Sequence, residues 1–296
     1  MTDTAVEQPP AAGPSPLARA FRRPVRKLGA GMIWLWVAFN IFLISWIFVA
    51  SLKPSREIFS REGALSLPSD FRWDNYRSAW DASRFDLATL NTVMVVLVAA
   101  VVVVALAAPA AYVLSRSGIR SAGSMITFFA IGMGIPLQAL LVPLFIMTNW
   151  LGLADSLFGL GVVYVAISLP FTVFLLTGFF RSLPHELEEA AALDGASGLR
   201  TFVGVMLPLA QPGIITATTL NIVLLWNETL MALVLITDNS QYTLPRALLS
   251  LYGTMQYTGN WGGLFAGSII VAAPVLIIFT VLSRQIIEGM TLGANK

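Results

Sequence analysis

The chain has no cysteine, a single histidine (His185) and only 11% charged residues among its 296. Without cysteine there are no disulfides, thiolate nucleophiles or cysteine-ligated metals. One histidine supplies no imidazole cluster, so no metal site is expected. Soluble domains carry roughly 25% charged residues. This chain has less than half of that and cannot clothe a whole molecule in a water-facing surface. Hydrocarbon is what it has in abundance: 56% of its residues are hydrophobic. An integral membrane protein surrounded by lipid is expected. The formal net charge of +2 is too small to point to a nucleic-acid partner.

A helix crossing the hydrocarbon needs about twenty mostly apolar residues. Six stretches qualify: Gly31–Ser51, Ala88–Leu114, Met125–Met147, Leu157–Phe180, Ile214–Leu235 and Leu264–Leu282. Runs such as "VMVVLVAAVVVVALAA" do not alternate as barrel strands would. The expectation is an all-α protein with six transmembrane helices. Pro109, Pro136, Pro143, Pro170 and Pro274 fall within or beside these stretches. Each removes a helical hydrogen bond and favours a bend there, as an ordinary packing kink or as part of a transport path.

Residues 1–28 read as a disordered tail, rich in Pro, Ala and Ser and then basic. A secretory signal would place its basic residues first and a short apolar run after them. Here Arg19, Arg22, Arg23, Arg26 and Lys27 precede a full-length span, which is expected to stay as an anchor. With the N-terminus inside, the inner segments hold 11 Lys and Arg and the outer segments 7. That bias predicts both termini on the cytoplasmic side. Trp73, Tyr76 and Trp80 share one helical face in the first outer segment and suggest a short helix on the outer leaflet.

One segment breaks the apolar rhythm. In "EEAAALDGASGLRTFVGVMLP" (Glu188–Pro208), acidic residues and three alanines suit the start and body of a short helix. Ser182 is a candidate cap for it, with Pro184 in its first turn. Gly195 after Asp194 ends it, and Ser197 caps a second helix. There Leu199, Phe202, Val203, Met206 and Leu207 form one apolar stripe, and Pro208 closes it. This compact elbow on the inner side either rests on the membrane or its own bundle, or docks a cytoplasmic protein.

The elbow also resembles the EAA signature of permease subunits of bacterial ABC importers: Glu-Ala-Ala, three residues, Gly, nine residues, an aliphatic, any residue, Leu-Pro. Glu189, Ala190, Ala191, Gly195, Val205, Leu207 and Pro208 match it at every spacing, with Val where Ile is common. "IPLQALLVPLF", "LPFTVFLLTGFFRSLPHELEEAAALDGAS", "WNE" and "IIEGMTLGANK" are similar to the carbohydrate branch. The second, six-span permease of the maltose importer family is the nearest pattern. The resemblance covers nearly all of the chain after the tail.

It implies a type I importer permease domain over residues 29–296, in the bacterial cytoplasmic membrane. The elbow would be a coupling helix seated on a cytoplasmic ATPase dimer, with Glu189, Ala190, Ala191, Asp194, Gly195, Leu207 and Pro208 as its contact set. Further implied partners are a second homologous permease, an extracytoplasmic sugar-binding protein and a sugar substrate. Asp238 and Asn239, in the last outer loop (Thr237–Trp261), become candidate binding-protein contacts. Gly293, Ala294 and Asn295 become candidate tail contacts to the ATPase, although "TLGANK" departs from the commoner "TAGAVKG".

Asn227 and Glu228 lie inside the fifth span, where a carboxylate in hydrocarbon is costly. They belong either to the translocation path or to a structural hydrogen bond between helices, and Asn91 and Gln138 pose the same choice. No GxxxxGK[ST] loop occurs, so ATP and Mg are expected on the partner ATPase, with no cofactor and no catalytic residue here. A secondary transporter or channel remains the alternative, but it usually carries several intramembrane ionisable groups. An intramembrane enzyme would need polar chemistry at membrane depth, and His185 lies in the elbow.

Overall fold

A computed structural model describes residues 16–116 and 118–294, with the side chains of 16–27, 256 and 282–294 set aside. Among the described residues there are helices and no strand. The first long helix, α1, spans Pro16–Ser51. Short helices α2 (Ser55–Ile58) and α3 (Asp74–Ala82) follow. Then come α4 (Phe85–Arg116), α5 (Ala122–Met133), α6 (Leu137–Trp150) and α7 (Leu157–Ser182). The elbow holds α8 (Glu186–Leu193), α9 (Gly198–Thr201), a wider π turn (Phe202–Met206) and the last turn α10 (Leu207–Leu209). After it come α11 (Gln211–Trp226), α12 (Leu230–Leu235), α13 (Leu244–Thr258) and α14 (Trp261–Ala294).

Four helical segments are long and apolar enough to cross a bilayer: Leu28–Ser51, Phe85–Arg116, Leu157–Ser182 and Trp261–Val281. By length and composition the total rises to six if each of two bent pairs counts as one span: α5 with α6, at 97°, and α11 with the elbow segment Gly198–Leu209, at 72°. The third expected span is therefore broken. Pro136 stands at the start of α6 with extended backbone and cannot continue the helix from Gly134. The fifth expected span is broken too, between Trp226 and Leu230.

At the other end of the sequence, α1 begins at Pro16, twelve residues before the tail boundary drawn from composition. Leu, Ala and Arg are strong helix formers and carry the helix back through the basic cluster. Residues 1–15 lie outside the described residues.

The pairing of α4 with α7 forms the spine of the bundle. Ala99, Ala100, Ala107, Ala108 and Ala111 are all buried on α4. Small residues let membrane helices approach closely where no hydrophobic effect drives them together. Gly161 of α7 lies so near that a Cβ there would sit 3.5 Å from Val95. A second close pass brings Gly213 of α11 against Phe179, where a Cβ would stand 2.5 Å from the ring. Asn221 donates to Thr172 Oγ1 (2.9 Å), tying α11 to α7 with a polar pair inside the bundle.

Packing divides into three zones. At the elbow end, Ala107, Ala111, Leu176, Phe180, Met206 and Ala217 form one cluster. Mid-bundle, Val96, Leu160, Tyr164, Met231 and Ile236 form a second. At the far end, Phe85, Trp226, Leu244, Leu251 and Ala266 bring α13 down onto α4 and α14. The segment Thr237–Trp261 is thus not loose: more than half of it is α13.

Candidate functional site

The elbow is fastened by Glu188, a residue outside the EAA match. Its carboxylate accepts a hydrogen bond from the Tyr112 hydroxyl (2.7 Å) and faces Arg116 Nε at 3.5 Å and His185 Nδ1 at 3.7 Å. Arg116 Nη2 also donates to the carbonyls of Phe180 (2.7 Å) and Leu183 (2.6 Å) at the end of α7. One buried guanidinium thus joins α4, α7 and the elbow. Arg116 and Tyr112 are four residues apart on α4, so both reach the same spot one turn apart. That spacing is visible in the sequence; the Glu188 partner 76 positions away is not.

Within the elbow, Gly195 adopts φ +75°, which only glycine takes without strain, and nothing lies within 4 Å of a Cβ placed there. Backbone hydrogen bonds from Gly195 N to Ala192 O and from Ala196 N to Ala191 O close the turn. The Ser197 hydroxyl accepts from Arg200 N and caps α9 as expected. Ser182 does not cap α8: it is the last residue of α7 and donates back to Phe179 O. Pro184 falls before α8 rather than in its first turn. Pro208 likewise does not end the second helix, which runs on to Leu209.

The expected apolar stripe divides in two. Met206 is buried and Phe202 packs on Tyr112 and Phe180, whereas Leu199 (74% exposed) and Val203 point away, as does Leu193 at 90%. The π turn explains the split, because its extra residue per turn rotates the stripe. Ala191 is buried against the bundle, and Glu189, Ala190, Asp194, Gly195 and Pro208 are exposed on the elbow surface, with Leu207 half-buried. The Glu-Ala-Ala segment therefore presents Glu189 and Ala190 outward and anchors through its neighbour.

At the break in the fifth span, Glu228 and Asn227 diverge. Glu228 is 8% exposed. Its carboxylate accepts from Met231 N (2.8 Å), Ala232 N (3.2 Å) and the Tyr164 hydroxyl (3.0 Å). It thereby satisfies the open N-terminal donors of α12 that the break creates. Asn227 is exposed; its amide donates to Val223 O and satisfies a carbonyl at the end of α11. It borders a cavity of about 450 Å³ with Thr229, Pro245, Tyr252 and Ser268.

The far-end loop is clasped rather than free. Asp155 accepts from Thr237 N and Oγ1 (2.7 Å each) and from Asp238 N (2.9 Å). These bonds, the Asp238 backbone first, hold its pKa below the usual carboxylate range. Asp238 caps the turn Asn239–Gln241 through Ser240, so its carboxylate is engaged within the loop, and Asn239 is exposed beside it. Asn91 is buried and donates to the carbonyls of Ser240 and Tyr242, which is a structural tie. Gln138 is exposed. Gly293 and Ala294 form the end of α14, and Asn295 lies outside the described residues. No cluster of His, Cys, Asp and Glu suited to a metal occurs among the described residues.

Fold and geometry together define a multi-pass helical membrane subunit with a fastened polar elbow at one end. Residues 104–290 match the family described as the inner membrane component of binding-protein-dependent transport systems, and the chain belongs to that family. It is 35% identical over 283 residues to the permease NgcG of the diacetylchitobiose uptake system of Streptomyces coelicolor, covering 95% of this chain and 93% of that protein. It is also 35% identical over 268 residues to the trehalose transport permease SugB of Mycobacterium tuberculosis, covering 88% and 94%. Among solved structures, a chain of a bacterial ABC transporter that imports the acidic polysaccharide alginate shares the fold, with a TM-score of 0.74 at 24% identity, covering 93% of this chain and 99% of that one.

Proposed function

We propose that this chain is the permease subunit of an ATP-driven carbohydrate importer and forms half of the path for a sugar or oligosaccharide. The observation that carries the coupling step is the elbow's double character. It is bolted to α4 and α7 through Glu188 and Arg116, yet it turns Glu189, Ala190, Leu193 and Leu199 outward. A rigid handle with an exposed apolar and acidic surface suits a lever seated in a second protein. A force applied there reaches the spine of the bundle without bending a loop, as a rigid-body switch requires.

In this reading the elbow lies in the cytoplasm on an ATPase dimer, which holds ATP and Mg. Both chain termini are cytoplasmic, a second homologous permease completes the path, and a sugar-binding protein docks at the far end near Asp238 and Asn239. The end of α14, with Gly293 and Ala294, points toward the ATPase side. The chain performs no chemistry of its own. The sugars handled by the relatives make trehalose and diacetylchitobiose the first substrates to try.

The test is uptake into liposomes holding the importer assembled from this chain and its co-expressed partners. Sugar accumulation that requires both ATP inside and the binding protein outside is expected. Accumulation by this chain alone, driven by a proton gradient, would instead support a secondary transporter.

A further inference from the structure

The break in the fifth span borders an open cavity lined by residues of α13 and α14. We propose that this chain itself contacts the sugar, in the cavity of about 450 Å³ between the Trp226–Leu230 break, α13 and α14. The site would take an uncharged saccharide with one apolar ring face. This inference rests on the importer reading and adds a substrate class and the residues that recognise it.

Three observations converge. First, non-helical backbone at membrane depth is tolerated only where it is buried in protein or lines a cavity. Here Asn227 and Thr229, the two residues flanking Glu228, both line the cavity. The break is built rather than accidental, since Glu228 caps α12 and is itself held by Tyr164.

Second, the lining is divided as a sugar is divided. Pro245, Leu248, Leu249, Leu264 and Val271 supply apolar wall. Asn227, Thr229, Ser268 and the exposed Tyr252 supply polar atoms. The hydroxyls of Thr229 and Ser268 donate to the backbone carbonyls of Asn227 and Leu264, which leaves their oxygens to accept. Asn227 uses one N–H of its amide on Val223 O and keeps the other N–H and its carbonyl oxygen free. Tyr252 adds a ring for the apolar face of a pyranose and a hydroxyl with no partner among the described residues.

Third, no lining residue is ionisable near neutral pH, and the nearby Glu228 carboxylate is turned into the bundle. A uronate would meet no cation there, whereas a neutral saccharide meets acceptors and an aromatic face. Ser268 sits about 10 Å along α14 from its start at Trp261, at 1.5 Å per residue. The cavity therefore lies in the far third of the bundle, where a sugar delivered from outside first enters.

The experiment uses the assembled importer in liposomes and measures sugar moved per ATP hydrolysed, with the neutral disaccharide that the wild type accumulates. Tyr252→Ala and Asn227→Leu are expected to lower that ratio about five-fold or more, the effect of one lost aromatic or polar contact, while ATP hydrolysis stimulated by the binding protein persists. Tyr252→Phe, which keeps the ring, is expected to restore most of it. An unchanged ratio in both variants overturns the inference, as does a parallel fall in uptake and hydrolysis; the importer reading survives either result. A wild-type importer that accumulates uronates and no neutral sugar overturns the substrate class. One that accumulates no sugar at all overturns the importer reading and this inference together.

Discussion

Asp155 shows how much one side chain at a special backbone position can organise. It sits at φ +50°, a left-handed conformation that is uncommon outside glycine, and its carboxylate gathers three donors from Thr237 and Asp238. Its pKa is lowered, so the clasp contributes stability that is fully present above the ordinary carboxylate value of 3.8 and is lost as pH falls through the lower folded value. Amide exchange of Thr237 and Asp238, corrected for intrinsic rates, should show protection at pH 6 that disappears only under strong acid. Asp155→Asn should remove that protection at every pH. Nothing in the sequence forecasts this pair, because the partners stand 82 positions apart and the turn between α6 and α7 carries no motif. Glu228 was only half legible: its burial follows from its place in an apolar run, but its role as the cap of α12 required the break to be seen.

Individual elements show why the elbow was more legible than the spans. Its capping serine, its Asp-Gly turn and its motif spacing are local signals, and Gly195 and Ser197 behave as local chemistry dictates. The spans were located by hydropathy, which counts apolar residues but does not report continuity; Pro136 marked the bend in the third span, whereas the break at Asn227–Thr229, which carries no proline, escaped. The fastening of α8 escaped as well, since it depends on Arg116 reaching α7 carbonyls and Glu188 at once. Removing that guanidinium leaves Glu188 partly buried without its main cation. Arg116→Met should weaken elbow docking by about 1.5–3 kcal/mol, the range for hydrogen bonds to charged groups. Faster amide exchange over Glu186–Leu193 would report the loosening, and sugar moved per ATP should fall with it. Unchanged exchange would show that apolar packing of Phe202 and Met206 holds the elbow without the ion pair.

For the whole molecule, the arrangement reads as a lever and an open cavity at opposite ends of α11. The elbow docks on α4, α7 and the start of α11; the cavity lies where α11 ends and α13 and α14 meet. Helix α11 starts in the elbow-end cluster and ends at the break beside Asn227, so a displacement of the elbow has a path along α11 to the break in the fifth span. The resemblance to importer permeases, legible from the EAA spacing, supplied the family; what it could not supply was which residues tie the lever to the spine. In the proposed function, the elbow transmits the stroke of a partner ATPase to the spans. The most direct measurement is ATP-driven sugar uptake by the assembled importer carrying Gly195→Pro, which forbids the φ of +75° at the turn while leaving the six spans untouched. A complex that still assembles but accumulates no sugar is expected. Uptake at the wild-type rate would contradict it.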